Sequence, residues 1–228
     1  MCRTSSWFDG WVTGDWTQWH DQYDVPGSSL SQRLSVVQDY LRRALIETSA
    51  SAPGQRRLIS MCAGEGRDVL PVLADQDEPD QTRALLVELN PQLAERARTT
   101  AADLGLANVD VTTADAGITD PYLNFAPAHI VLACGVFGNI SSDHIRQTIA
   151  TLPSLLTDHG IVIWTRGRND DDTEPCHDIR DWFTDHGFTE VAFTAPHNAR
   201  FRVGMHRPDP RTEPPQPLRT GTPMFTFT

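Results

Sequence analysis

Leu58-Ile59-Ser60-Met61-Cys62-Ala63-Gly64-Glu65-Gly66-Arg67-Asp68-Val69-Leu70 decides how this chain folds. Leu58 to Cys62 is an almost unbroken apolar run, as expected for a central parallel strand covered on both faces. Gly64 and Gly66 allow backbone angles that a Cβ would forbid, so a ligand can approach the main chain there. From Val69 the spacing turns helical, with Val69, Leu70 and Leu73 on one face. A strand, a glycine turn and a helix make the nucleotide-binding corner of a doubly wound α/β fold.

The residues around the turn restrict the nucleotide. A dinucleotide fingerprint needs a third glycine three residues after the second, and Val69 stands there. Glu65 and Asp68 bring two carboxylates to the place where a pyrophosphate would sit, and like charge in a partly desolvated corner is unfavourable. A ligand without phosphate and with positive charge fits better. S-adenosylmethionine (SAM), with a sulfonium and an ammonium, is such a ligand. The stretch resembles motif I of the class I SAM-dependent methyltransferases. That family usually has an acidic residue where Ser60 stands and a glycine where Cys62 stands. With the usual acid missing, Glu65 is expected to take part of its role toward the methionine ammonium.

Outward from this corner, two further acids fall in place. Arg83 to Glu88 is expected as the second strand, and Glu88 follows Gly66 by 22 residues. An acid at the tip of that strand accepts the ribose hydroxyls in many nucleotide folds. Leu89 follows it, and Asn90-Pro91 opens a helix that Gly105 ends. Val109 to Thr113 is the third strand. Asp115 after it matches the family position that holds the adenine amino group, with Ala116 beside it; an N-cap for a short helix is the alternative. The fourth strand is expected from His129 to about Gly135. The first and fourth strands flank the point where strand order reverses, so Cys134 to Asn139 should lie beside the transferable methyl group. There Gly135 leaves room, Phe137 is expected to pack on the adenosine or the substrate, and Asn139 to hydrogen-bond a substrate heteroatom. The Asn/Asp-Pro-Pro-aromatic signature of enzymes that methylate nucleic-acid amino groups is absent.

Toward the N-terminus, residues 1 to 28 hold four of the six tryptophans. They read either as a cap packed on the core or as a lid over the cofactor, since a sulfonium is attracted to aromatic faces and a lid excludes water. Trp19, Tyr23 and Asp24 are the lid candidates. Residues 30 to 47 keep helical spacing, and Arg33 near the start of that helix is a candidate partner for a ligand carboxylate. Toward the C-terminus, a helix is expected from Ser142 to about Leu156, a turn at Asp158-His159-Gly160, a fifth strand from Ile161 to Thr165, a helix over 179–186, and alternating strands at 188–193 and 201–206. The resemblance implies that such an antiparallel pair closes the sheet. Arg166 and Arg168 fall where substrate usually binds and suit an acidic substrate. The acidic run Asn169-Asp170-Asp171-Asp172 is expected to be a solvated loop, with no metal. Residues 207–223 carry six prolines and read as an extended tail, with Met224 to Phe227 as a candidate last edge strand.

Composition limits function further. The 228 residues are 39% hydrophobic and 21% charged, with a formal charge of −11, as in an ordinary globular protein. All 19 basic residues are arginine, which rules out a lysine Schiff base or a P-loop lysine. An acidic chain with no basic run is a poor nucleic-acid binder. Cys2, Cys62, Cys134 and Cys176 lie far apart without CxxC spacing, against zinc or a disulfide framework. No signal peptide and no membrane-length apolar run is present, so a cytoplasmic protein is expected.

The expected fold is therefore α/β, a doubly wound, seven-stranded, mostly parallel sheet with an antiparallel edge strand and an N-terminal helical and aromatic cap. The expected divisions are a cap at 1–54, a SAM-binding domain at 55–206, which the resemblance covers, and a tail at 207–228. The expected function is SAM-dependent methyl transfer to a small molecule, with no nucleic-acid or membrane partner; a homodimer is compatible with the chain. His144, which follows the methyl-site loop, ranks before His20 and His197 as a general base. The alternatives are a non-catalytic SAM-binding sensor or scaffold and, disfavoured by Val69 and the two acids, an NAD(P)-dependent oxidoreductase.

Overall fold

The computed structural model describes residues 23, 25, 27–49, 54–167, 175–197 and 199–228. The expectations for Trp19, His20, Asp24, Arg168 and the run 169–172 lie outside these residues. Helix α1 spans Ser29–Ser49. It is followed by β1 (Arg56–Met61), α2 (Leu70–Ala74), β2 (Thr82–Glu88), α3 (Pro91–Asp103), β3 (Val109–Thr113), β4 (Ala128–Ala133), α4 (Ser142–Leu155), β5 (Leu156–Gly167), α5 (Pro175–Asp185), β6 (Phe188–Thr194) and β7 (Phe201–Pro208). The seven strands form one sheet in the order β3-β2-β1-β4-β5-β7-β6. β1 to β5 pair in parallel, whereas β7 runs antiparallel to both its neighbours. Strand order reverses between β1 and β4, which places the candidate site above their carboxyl ends.

The sheet is covered on both faces, which is why its strands read as apolar runs. On one face Leu58, Leu132, Ile163 and Met205 pack with Val37, Leu41, Ala44 and Leu45 of α1. On the other, Ile59, Val131, Val162 and Trp164 pack with Ile145, Ile149 and Leu152 of α4 and with Ile179 and Phe183 of α5. Trp164 stacks on Phe183 at 6.0 Å between centroids. Its indole N–H donates to His206 Nδ1 at 3.1 Å. Burial pushes the His206 pKa down to about 3, so the ring stays neutral.

Three elements differ from expectation. The helix after the glycine turn begins at Leu70, one residue past Val69 where the helical spacing sets in, because Gly66 to Val69 form tight turns and Pro71 sits at its start. Asp158-His159-Gly160 is part of β5, which runs back to Leu156 opposite Ala128 through an irregular register. Met224–Phe227 adds no strand among the described residues. Instead the tail straps the molecule: Met224 and Phe225 are buried in the core below Gly117 and α4. The Met224 N–H donates to the Gly117 carbonyl at 2.7 Å. A Cβ at Gly117 would lie 2.3 Å from the Phe225 carbonyl oxygen.

Candidate functional site

At the end of β1 the chain turns sharply at Cys62, whose φ is +51°. This is the position where the resembled family keeps glycine. An L residue in that region carries strain of about 1 kcal/mol. Cys62→Gly is therefore expected to leave urea-unfolding stability unchanged or raised by up to ~1 kcal/mol despite glycine's larger unfolded-state entropy, whereas Cys62→Val should lower it measurably.

Beyond Cys62 the backbone is pinned by the next strand. The Ala63 N–H donates to the Val87 carbonyl at 3.0 Å, and the Gly64 N–H to Glu88 Oε2 at 2.7 Å. The other Glu88 oxygen accepts from the Asn90 N–H at 2.8 Å. The carboxylate is thus fixed by two backbone donors and retains lone pairs for a ligand. Gly66, with φ +73°, closes the corner: a Cβ there would fall 2.7 Å from Leu70 Cδ1 and 3.0 Å from Leu86 Cδ2. Glycine is required at this position for helix-to-sheet packing. Asn90 caps α3 through its side-chain oxygen, and Leu89 beside it is 61% exposed, an apolar surface next to the Glu88 carboxylate.

The two acids of the glycine turn part company. Glu65 is gripped by Arg67 Nε at 2.8 Å and Arg96 Nη1 at 2.7 Å. Both its oxygens are engaged by guanidiniums, which offset the charge expected to meet a ligand ammonium. Asp68 takes the better position. Arg33, the Cys134 thiol and the Val69 backbone N–H all lie near enough to act on its charge. Arg33, buried, also donates to the Tyr23 hydroxyl, and the Arg33 and Arg67 guanidiniums each lie 5.7 Å from the Tyr23 ring centroid. Tyr23, Arg33, Asp68 and Cys134 therefore gather at the ends of β1 and β4. Burial raises both thiols, Cys62 and Cys134, which keeps them protonated.

Burial also raises the Asp68 pKa to about 6, despite Arg33. The folded form then holds this proton more tightly than the unfolded chain, whose reference value is 3.8. The stability it contributes is present below about pH 4 and is lost as pH rises through 6. Asp68→Asn is accordingly expected to match the wild type at pH 4 and to exceed it by about 1–3 kcal/mol at pH 7.5, measured by urea unfolding. His206 acts with the opposite sign, losing stability as pH falls from 6.5 toward 3. It does so in both proteins and cancels in the comparison.

At the end of β3, Asp115 does not cap a helix. Its Oδ1 accepts from the Gly117 N–H at 2.7 Å, and Thr119 precedes the short 3-10 turn Asp120–Tyr122. Ala116 is buried, and its carbonyl accepts from the Tyr122 hydroxyl. At the end of β4, Gly135 has φ +74° and its N–H donates to Thr165 Oγ1 at 2.8 Å. Among the described residues a Cβ at Gly135 would meet nothing within 4 Å. Asn139 turns its side-chain amide onto the Gly135 carbonyl at 2.7 Å, which leaves Oδ1 as an acceptor without a partner among the described residues.

Of two further expected site residues, one lies in the core and the other is held by the tail. Phe137 is fully buried, 5.8 Å from Trp164 and 6.4 Å from Phe183 between centroids; it is a core residue and packs on no ligand. His144, half-buried in the first turn of α4, accepts from the Thr226 N–H at 3.4 Å through Nδ1, so it anchors the tail strap. Arg166 donates to the Phe137 carbonyl at 3.1 Å, which ties its guanidinium to the loop after β4. Thr165 was not foreseen; a buried threonine in an apolar strand carries no local signal. Among the described residues no three His, Cys, Asp or Glu side chains cluster as a metal site, and no helix is long and apolar enough to cross a membrane.

This architecture is the class I methyltransferase fold. The chain superposes on magnesium protoporphyrin IX methyltransferase from Synechocystis PCC 6803 with bound SAM at a TM-score of 0.65 and 14% identity, covering 88% of this chain and 94% of that one. It matches the carbon methyltransferase CurJ at 0.64 and 16% identity, over 86% of this chain and 59% of that one. It also matches SpnF, a 4+2 cyclase, at 0.58 and 14% identity, over 76% and 81%. No family model and no curated protein matches the sequence.

Proposed function

We propose that this protein binds SAM and transfers its methyl group to a small-molecule acceptor by direct displacement. The observation that carries this is the acid-lined corner at the strand ends, where Asp68 and Glu88 flank a glycine turn with no bare helix N-terminus for phosphate. The residues fit SAM in kind. Glu88 accepts from the ribose hydroxyls; Leu89 and Asp115 take the adenine; Asp68 takes the ammonium and Arg33 the carboxylate of the methionine part. Tyr23 stands over this group. SAM supplies a methyl carbon activated by its sulfonium. The protein's work is then to align acceptor and methyl and to exclude water. Asn139 Oδ1 and the uncrowded backbone at Gly135 orient the acceptor. His144 enters as a base only where an acceptor needs proton removal and where Thr226 releases it.

The test is calorimetric titration with SAM, S-adenosylhomocysteine (SAH) and NADH. Micromolar binding of SAM and SAH, without NADH, is expected. Binding of NADH alone, or of none, overturns the assignment.

A second function, SAM binding without methyl transfer, is favoured by the departures at Ser60 and Cys62 and by the engagement of His144 with the tail. SpnF, a cyclase, shows that this fold is not tied to one reaction. Release of SAH during an acceptor screen separates the two.

A further inference from the structure

We propose that Arg166 and Arg202 form an anion-anchoring pair beside the methyl-site loop, so that the acceptor carries a carboxylate or phosphate. This rests on the methyl-transfer function above and names its substrate class. The two residues are register partners across the antiparallel β5–β7 pair. Such partners bring Cβ atoms to about 4.5–5.5 Å, where like charges repel. Neither forms an ion pair among the described residues, whereas Arg43, Arg83, Arg96, Arg180 and Arg207 each hold a carboxylate. Each makes one hydrogen bond, to a backbone carbonyl: Arg166 Nη1 to Phe137 at 3.1 Å and Arg202 Nη1 to Phe201 at 2.8 Å. Their remaining donors are not sealed in the interior.

Two register-paired guanidiniums with no ion pair among the described residues are unusual in a chain with a net charge of −11. Their placement explains them. Both lie on the face that carries Trp164 and Gly204, two register pairs closer to the carboxyl end of β5. The Phe137 carbonyl ties Arg166 to the loop that contains Gly135 and Asn139. A Cβ at Gly135 or Gly167 would meet nothing within 4 Å, and Gly138 approaches only the Gly167 amide. Among the described residues, therefore, nothing crowds the backbone at Gly135 and Gly167 beside the two forks. Planar guanidinium forks match carboxylate and phosphate oxygens in bidentate geometry. A bound anion also removes the repulsion between the two cations. The long-range field of the acidic chain is screened over about 8 Å, so a local pair is what holds such a ligand.

The experiment is titration of the SAH-saturated protein with malonate, inorganic phosphate and neutral malonamide. The variants are Arg202→Gln, Arg202→Lys and the double Arg166→Gln/Arg202→Gln, each checked for an unchanged urea midpoint. Wild type should bind malonate or phosphate at millimolar concentration and malonamide not at all. The tighter of the two anions assigns carboxylate or phosphate. Arg202→Gln should weaken binding roughly tenfold or more, as expected for one lost charge-assisted contact. Arg202→Lys should retain part of the affinity and the double variant none, and SAH affinity should stay within about twofold in the two single Arg202 variants, since Arg202 hydrogen-bonds only its neighbour Phe201 among the described residues. Equal anion affinity in wild type and double variant, or no anion binding by wild type, overturns the pair. Absence of SAH binding to wild type overturns the methyl-transfer assignment instead; the anion titration without SAH then still reads the arginines.

Discussion

Gly204→Ala is expected to cost about 3 kcal/mol or more and to lower the melting temperature by roughly 6–12 °C. Gly204 on β7 lies directly across from Trp164 on β5, and the indole lies flat against it. A Cβ at position 204 would stand 2.3 Å from Cε2, 2.4 Å from Cζ2 and 2.5 Å from Nε1 of Trp164. These are ring atoms in a fully buried side chain, so no flexible end can swing aside. Either the ring tilts, losing its stack on Phe183 and its hydrogen bond to His206, or the β5–β7 pair opens. The control is Gly204→Ala combined with Trp164→Phe. The smaller ring should accept the methyl, so the double variant should be more stable than the sum of the single effects by about 1–3 kcal/mol. Urea unfolding decides it; a Gly204→Ala cost below ~0.5 kcal/mol shows that the ring and strand do not pack as described.

Glu88→Ala is expected to weaken SAM and SAH binding by a factor of about 10²–10³. The carboxylate is the one group at the tip of β2 able to accept from both ribose hydroxyls, and charge-assisted hydrogen bonds contribute about 1.5–3 kcal/mol each. The same substitution leaves the Gly64 and Asn90 N–H groups without their acceptor, which costs about 1–3 kcal/mol of stability and loosens the glycine turn. Glu88→Gln separates the two effects. Its one carbonyl can serve Gly64, so stability should largely return, while ribose binding should not. Calorimetry on both variants checks this, with circular dichroism confirming the fold; undiminished SAH affinity in Glu88→Gln removes Glu88 from the ribose.

The fold was legible because its determinants are local. An apolar run closed by Gly64 and Gly66 specifies a buried strand and a turn, and Glu88 and Asp115 follow at strand ends that apolar runs mark equally well. What could not be read depends on which residues meet across the chain. Phe137 lies in a loop of glycines and looks like a ligand contact; only the stacking of α5 on β5 shows it to be interior. Glu65 and Asp68 are three residues apart and chemically alike, and what distinguishes their surroundings, Arg96 on α3 beside the first and Arg33 on α1 beside the second, is far off in the sequence. Arg202 gains its meaning from standing opposite Arg166, a register set by the β5–β7 pairing. The tail's prolines suggested extension, but not that Met224 and Phe225 insert beneath Gly117 and bring Thr226 to His144.

The strand order bears on how the chain emerges from the ribosome. β5 precedes β6 in synthesis, yet its sheet neighbour is β7, the last strand made. Until residues 201–208 are available, Ile161-Val162-Ile163-Trp164 has a partner on the β4 side only. Its other edge then offers unpaired backbone groups flanked by apolar side chains, a template for pairing with another nascent chain. β6 cannot fill the gap, because it reaches the sheet only through β7. Aggregation during expression should therefore rise steeply in forms that stop before Phe201, and slow arrival of this single hairpin should set how much of the protein survives its own synthesis.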